Sequence, residues 1–331
     1  FFSFKILKKF TNSEIYSLIG SIFFLIAPIF IFRLYIGHSI VAGQWILLIA
    51  LYLGLTREIE ESKWSWIFLI ILSSLIIYQF LVIILVVYSL LRIFNLKFNK
   101  ENIIKFIKDF IIIATLLFLT LYITGYFEVR MVDTLALGFG RDKLNLLSIF
   151  DPINAIDNIS WSWFLPDIKL STEEELEGFN YLGLGQIMMS LFALFLFLNR
   201  KNKAILFSIK DNKEIKVFVL VSLFLTLWAL SNKISFGSYT LIEIPLNKYI
   251  FGVLSIFKSS GRAFWIVNYF LVIMSLVIIF KCFNKRNSLL IISLFLIIQV
   301  ADTSAGIKQR INFFTPVDES FRVKDQIWKD L

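Results

Sequence analysis

Residues 64–94 read WSWIFLIILSSLIIYQFLVIILVVYSLLRIF, and this run leaves two ways to build the chain. A helix needs about 20 apolar residues to cross a bilayer, so the run is either one long tilted helix or two short helices that meet at the polar pair Tyr78-Gln79. Lysine and arginine collect in cytoplasmic connections near the ends of membrane spans. Basic residues occupy both flanks, 57–63 and 92–108. A hairpin places both flanks on one side of the membrane, and we therefore expect a hairpin.

The overall composition is that of an integral membrane protein. Hydrophobic residues make up 58% of the chain and charged residues 17%, with a mean hydropathy of +0.79, whereas soluble domains average roughly 45–50% apolar residues. Backbone groups in hydrocarbon must be hydrogen-bonded locally, which favours helices. We predict an all-α fold, a polytopic bundle of about nine helical elements. Besides 64–94, its apolar spans are 15–36, 39–55, 102–125, 181–198, 216–230, 263–280 and the shorter 288–301.

The charged residues divide the connections between spans into two sets. With a hairpin at 64–94, more than half of the 33 basic residues lie on the same side as residues 92–108. That side is the cytoplasmic one, and it also holds the first residues of the chain. The opposite segments carry more acidic than basic residues. Because the basic residues are dispersed over short connections, the pI of about 9.4 reflects topology, and we expect no nucleic-acid partner.

This topology predicts two domains. Residues 1–301 form a transmembrane helical domain with the outer loops 126–180 and 231–262, and residues 302–331 begin an extracytoplasmic C-terminal domain that is truncated in this sequence. The loop 126–180 is too long for a simple connection and too rich in Trp, Phe and Leu for disorder. We expect it to pack onto the outer face, where any chemistry would lie.

Four charged residues of the outer segments are candidates for a binding site. Arg262 precedes a span, where it is either an interfacial cation or a guanidinium that grips a phosphate or carboxylate. Arg141 either pairs with Asp142 or faces the same cavity as Arg262. Asp151 and Glu177 are acids of the kind that act as bases or metal ligands.

Three other positions constrain the chemistry. Arg33 lies inside an apolar span, a costly position that calls for a polar partner or a cavity. The single His38 excludes a site built from several histidines, and the single Cys282 excludes an internal disulfide framework.

Four segments carry a resemblance to a class of membrane proteins. They are SIVAGQWILL at 39–48, LNLLSIFDP at 144–152, EGFNYLGLG at 177–185 and SGRAFW at 260–265. Together they resemble an uncharacterised family of large bacterial polytopic membrane proteins. That family is similar in layout to the GT-C class of glycosyltransferases, which use a polyprenyl-phosphate sugar as donor. The resemblance spans most of the chain and implies a place in the bacterial inner membrane.

The resemblance implies transfer of a sugar from a polyprenyl-phosphate carrier to a glycan or protein acceptor of the cell envelope, on the outer face of the lipid bilayer. Such a site needs a carboxylate base and cationic or metal stabilisation of the leaving phosphate, so it allows a divalent cation as cofactor. GT-C enzymes carry their key acid in the first outer loop, which we expect upstream of this sequence. By this interpretation Arg262 and Arg141 contact the lipid phosphate, and Asp151 and Glu177 shape the acceptor side.

Two other functions fit the same topology. A lipid-linked glycan transporter or flippase would show broken helices, paired repeats and polar residues at the membrane midplane. Apart from Arg33, the spans contain few such residues. A non-catalytic envelope-assembly protein predicts that the charges of the outer loops are solvated or paired with one another.

Overall fold

The computed structural model describes residues 1–35, 38, 40–96, 99–128, 139–153, 158–168, 170, 178–199, 202, 207–255 and 259–311. Within these ranges the chain is mainly helical, which agrees with the predicted all-α fold. It also contains one small two-stranded antiparallel sheet, which was not predicted. The helices are α1 Phe2–Thr11, α2 Glu14–Leu25, α3 Pro28–Tyr35, α4 Trp45–Thr56, α5 Lys63–Ile76, α6 Tyr78–Asn95, α7 Lys100–Ile123, α8 Leu184–Leu198, α9 Phe207–Lys210, α10 Lys213–Leu230, α11 Lys248–Ser255, α12 Phe264–Cys282 and α13 Lys285–Ile311. The strands are β1 Lys233–Phe236 and β2 Tyr239–Glu243.

Length and composition identify four helices of the described chain that can cross a membrane. They are α6, α7, α12 with the short 3-10 turn before it, and α13. The pair α2 and α3 makes a fifth when it counts as one span, although it is bent by 48° at the break before Pro28. Proline has no backbone N–H and cannot continue the hydrogen bonding of a helix, so the predicted span 15–36 is two helices instead of one.

The run 64–94 forms two antiparallel helices, which confirms the predicted hairpin. A single extended residue, Ile77, separates α5 from α6. Arg92, in the last turn of α6, forms an ion pair with Glu60, which precedes α5. The far ends of the two helices therefore lie side by side.

Asp109 of α7 ties a third helix to this hairpin. Its carboxylate forms ion pairs with Lys63 and with Arg92, the latter at 2.7 Å, and both Asp109 and Arg92 are buried. The neighbouring connections reach the same place, since Lys9 donates to the Thr56 carbonyl at 2.6 Å. We call residues 56–63, 99–109, 211–216 and 281–286 the cationic end of the bundle; the last segment is where α12 ends and α13 begins.

Helix α12 is the central helix and α7 a peripheral one. The apolar window of α12 is 83% buried, against 11% for α7. Helices α8, α10, α1 and α4 all pack against α12, and the Tyr16 hydroxyl of α2 donates to its Leu276 carbonyl at 2.7 Å. Most of α7 therefore faces away from the protein, as expected of a helix surrounded by lipid.

Helices α8 and α13 approach so closely that only glycine fits between them. A Cβ atom on Gly185 would lie 2.3 Å from the Phe295 carbonyl oxygen. Gly183, with φ of +87°, directly precedes α8 and lies beside Gln299. The Gln299 amide accepts from the Gln186 backbone and donates to the Leu182 carbonyl. This contact fixes the loop before α8 onto α13.

The segments 139–153, 158–168, 178–183, 231–247 and 259–263 gather at the other end of the bundle, which we call the aromatic end. Helix α10 starts at the cationic end and reaches this one at Ala229, whose carbonyl accepts from the Leu144 backbone at 2.8 Å. Leu146 continues the contact by donating to the Ser235 carbonyl of β1 at 3.0 Å. The parts of the predicted outer loops 126–180 and 231–262 that are described here therefore pack on each other.

The last helix runs past the predicted domain boundary. Helix α13 continues without a break through Asp302 to Ile311, so the start of the segment 302–331 belongs to the helical bundle. Residues 312–331 lie outside the described part of the chain, and the C-terminal domain stays a prediction.

We expect Asp109→Asn to lower the free energy of unfolding by about 1.5–3 kcal/mol, because it removes the charge-assisted hydrogen bond to the buried Arg92, which then keeps only the exposed Glu60. Glu60→Gln is the matched control: Glu60 is mostly exposed, and the loss of an exposed partner costs only about 0–1 kcal/mol. Thermal unfolding of the detergent-solubilised variants checks both values. Equal effects of the two substitutions would show that Asp109 does not hold α7 to the hairpin.

Candidate functional site

Two buried arginines lie over one buried tryptophan at the aromatic end. Trp265 is in the first turn of α12 and is fully buried. The guanidinium carbons of Arg33 and Arg262 lie 5.5 Å and 6.0 Å from the centroid of its ring. Their side chains are buried as well, with 1% and 8% exposure. We call Arg33, Arg262, Trp265 and their neighbours His38 and Tyr78 the arginine–tryptophan site.

Helix α3 delivers Arg33 to this site. Arg33 occupies the last turn of α3, and Phe32 adds a second ring 5.0 Å from its guanidinium. Gln44 holds α3 against α12, because its amide donates to the Ile29 carbonyl at 3.2 Å and accepts from the Tyr269 hydroxyl. The bend between α2 and α3 therefore directs α3 toward Trp265 and brings Arg33 to the site.

A tight turn before α12 delivers Arg262. The 3-10 turn Ser260–Ala263 is buried throughout. The Gly261 amide donates to the Asp142 carbonyl at 3.0 Å, and a Cβ atom on Gly261 would lie 3.1 Å from the Lys143 carbonyl carbon. Asn180 reaches the same turn and donates to the Gly261 carbonyl at 3.4 Å. The loop that precedes α8 and the turn that precedes α12 are thus joined at Arg262.

Titratable side chains surround the two guanidinium groups. The His38 Nδ1 atom lies 3.3 Å from Arg33 Nη1, and the imidazole is otherwise exposed. The hydroxyl of Tyr78, at the start of α6, interacts electrostatically with Arg262 and with the half-buried carboxyl of Asp142. The site therefore combines two fixed positive charges with a carboxylate and an imidazole.

Buried polar atoms at the site include the indole Nε1 of Trp265 and the amide Oδ1 of Asn268, one turn further along α12. Neither atom has a hydrogen-bond partner among the described residues. A buried polar group without a partner costs about 1–3 kcal/mol, and such groups usually meet an ordered water or a ligand. The orphaned indole N–H is a donor in a cationic surrounding, which suits an anion.

The structure brings only part of the predicted set of residues to this place. Arg262 belongs to the site, and Arg141 precedes the residue that Gly261 contacts, but the Arg141 side chain is exposed. Asp151 is buried and accepts from the backbone amides of Ile153 and Ile168, at 3.2 Å and 3.3 Å. These contacts organise the loop. Glu177 lies outside the described residues.

A second buried carboxylate, Asp302 of α13, pins the aromatic end together. It accepts from the hydroxyls of Ser162 and Tyr181 and from the Leu184 amide, the last at 2.9 Å. Burial, and then the hydrogen bond to Asp302, raise the pKa of the Tyr181 hydroxyl, so Tyr181 remains a protonated donor at neutral pH. With three donors in place, Asp302 has a structural role in the loop.

The described residues contain no group of three or more His, Cys, Asp or Glu side chains placed to hold a metal ion. The side chains at the arginine–tryptophan site are guanidinium, indole, carboxylate, imidazole and phenol groups. Planar guanidinium groups bind phosphate through two parallel hydrogen bonds, and an aromatic surface restricts their orientation. Phosphate binding is the chemistry that this set of side chains fits best.

Fold and site together define a mainly helical protein whose described residues form a buried cation–aromatic site at one end and a cationic surface at the other. The chain belongs to a family described as a domain of unknown function, DUF6311, which matches residues 1–304. No curated protein matches the chain, and no solved structure does.

We expect Gly261→Ala to lower the free energy of unfolding by about 1–3 kcal/mol, because the new methyl group meets backbone atoms that a hydrogen bond holds in place. Gly252→Ala in α11 is the matched control: nothing lies within 4 Å of its Cβ position, and alanine is the better helix former by roughly 0.5–1 kcal/mol. Thermal unfolding in detergent compares them. If both variants are as stable as the parent, the turn Ser260–Ala263 is not tightly packed against the Asp142–Lys143 backbone.

Proposed function

We propose that this protein is a multi-pass protein of the bacterial inner membrane that binds the phosphate of a polyprenyl-phosphate sugar at the arginine–tryptophan site. The sugar is then transferred to a glycan or protein acceptor of the cell envelope. In this proposal the cationic end and the first residues of the chain face the cytoplasm, and the aromatic end faces outward.

The distribution of charge and apolar surface supports the membrane placement. Four helices meet the length and hydropathy of a membrane span, and the lysines and arginines of the connections collect at the end opposite the arginine–tryptophan site. The large side chains of α7 are mostly exposed, which is costly in water and favourable in lipid. The outer end is the side on which a GT-C-like enzyme acts.

The observation that carries the proposal is the pair of buried guanidinium groups beside an indole N–H that has no partner among the described residues. A buried cation is costly, and charge-assisted hydrogen bonds to an anion offset that cost, so two cations at one ring favour a bound anion. A site at the end of the spans lies at the depth of lipid head groups. The phosphate of a lipid carrier is negatively charged and lies at the depth of the lipid head groups.

The proposed transfer needs a leaving-group site and a base. The acceptor hydroxyl oxygen attacks the anomeric carbon of the sugar, and the bond from that carbon to the phosphate oxygen breaks. The bonding electrons stay with the lipid phosphate, where Arg33 and Arg262 stabilise the added charge. The hydroxyl proton passes to a base, for which Asp142 and His38 are the candidates beside the site. Arg141 remains proposed for the carrier side, and Asp151 and Glu177 for the acceptor side, where the buried Asp151 acts through the loop that it holds together.

We expect Arg262→Gln to weaken binding of a synthetic polyprenyl phosphate by about 10–100-fold, the loss of charge-assisted hydrogen bonds worth about 1.5–3 kcal/mol. Arg262→Lys keeps the positive charge but loses the planar guanidinium fork, so its affinity should lie between those of the parent and Arg262→Gln. Arg286→Gln, an exposed arginine of the cationic end, is the control and binds like the parent. The measurement is a titration of the protein in nanodiscs, with the matching polyprenol as the uncharged ligand.

Three results would contradict the proposal. Equal affinity for polyprenol and polyprenyl phosphate would show that the protein does not recognise the phosphate. An unchanged affinity of Arg262→Gln would show that Arg262 does not contact it. Movement of the carrier lipid from one leaflet of a liposome to the other, without sugar transfer to any acceptor, would favour a flippase function. Unfolding curves of each variant in the same detergent separate a lost contact from a lost fold.

A further inference from the structure

A long groove opens on the side of the bundle in its cationic half. Helix α12 forms its floor, and α8 and α10 form its two walls, around a volume of about 800 Å³. Pockets of roughly 300–1,000 Å³ are large enough for a small ligand. The groove is separate from the arginine–tryptophan site, since its lining on α12 starts at Phe270, beyond the first turn.

The wall of the groove suits an apolar occupant. Its lining side chains are hydrophobic apart from Ser190, Ser275 and Lys216. The Ser275 hydroxyl donates within the protein to the Leu271 carbonyl at 2.8 Å, and its oxygen lies 3.3 Å from the Ser190 hydroxyl. Large apolar side chains such as Leu191 and Leu194 remain more than half exposed along the groove. A hydrocarbon chain would cover them and would leave no buried polar group without a partner.

The mouth of the groove is cationic. Lys216, in the first turns of α10, closes the groove at the cationic end of the bundle. Its ammonium lies 3.4 Å from Asp211, an exposed pair that leaves further donors on Lys216 available. The connection 199–216 holds six basic residues and two acidic ones by sequence. An apolar groove that ends in positive charge complements a lipid with an anionic head group.

We propose that this groove binds one anionic phospholipid of the inner leaflet, with an acyl chain against Leu194 and Met274 and the head-group phosphate at Lys216. This inference rests on the membrane placement in the proposed function but not on the phosphate site at Arg262. The bound lipid fills the gap between α8 and α10, which pack on α12 from either side. It thereby supports the helix that carries Trp265.

The test is a lipid titration of the delipidated full chain in detergent, read by native mass spectrometry. The parent should bind one phosphatidylglycerol at least tenfold more tightly than phosphatidylcholine. Lys216→Gln should weaken phosphatidylglycerol binding about fivefold, the share of a single lysine near an anionic lipid, without changing phosphatidylcholine binding. Leu191→Trp should block the groove and remove binding of both lipids.

Two matched controls keep the test specific. Lys285→Gln removes an exposed lysine of the cationic end that does not line the groove, and Leu223→Trp adds the same bulk to an exposed position of α10 outside it. Both should bind phosphatidylglycerol like the parent. Equal binding of the two phospholipids, or equal effects of the groove and control variants, would overturn the inference and show only lipid that surrounds any membrane protein. Preferential capture of polyprenyl phosphate by the groove would overturn it as well.

The outcome is distinguishable from that of the proposed function. Arg262→Gln should retain phosphatidylglycerol binding, and Leu191→Trp should retain the phosphate dependence of carrier binding. A loss of phosphatidylglycerol selectivity with intact carrier binding would contradict the lipid-binding groove and leave the phosphate site at Arg262 unaffected.

Discussion

Burial of two guanidinium groups beside a single indole is the constraint on which the aromatic end depends. An arginine that leaves water loses several kcal/mol of hydration, and other groups must replace it. Trp265 contributes its ring to both Arg33 and Arg262, a contact worth about 2 kcal/mol or more when it is desolvated. A bound phosphate would add charge-assisted hydrogen bonds to the same groups. The bent α3, the tight turn before α12 and the joined loops all bring these charges to one place.

The rest of the bundle keeps that place at the end opposite its other charges. Asp109 gathers Lys63 and Arg92 at the cationic end, and Asp302 gathers the hydroxyls of the loops at the aromatic end. Each carboxylate joins segments that are distant in sequence, so each end is fixed by a polar contact and the middle by apolar packing on α12. This division is what a membrane favours, because polar networks are least costly near the two interfaces.

Much of the fold could be predicted from the sequence, because hydropathy and charge are local signals. The hairpin at 64–94 followed from its basic flanks, and the structure confirms it. The bend at Pro28 and the extension of α13 past residue 302 were missed: the first looks like continuous apolar sequence, and the second is held by contacts of Gln299 and Asp302 with a distant loop. The site was predictable in part. Arg262 and the costly Arg33 were both noted, but nothing local shows that residues so far apart share the ring of Trp265.

The central claim is that the arginine–tryptophan end and the cationic end lie on opposite sides of a membrane. It is tested most directly by labelling single cysteines in a Cys282→Ser background, with Tyr239→Cys in β2 for the aromatic end and Lys285→Cys for the cationic end, both at exposed positions. A membrane-impermeant maleimide applied to spheroplasts should label Tyr239→Cys at once and Lys285→Cys only after lysis. Labelling of both positions from the same side would contradict the account.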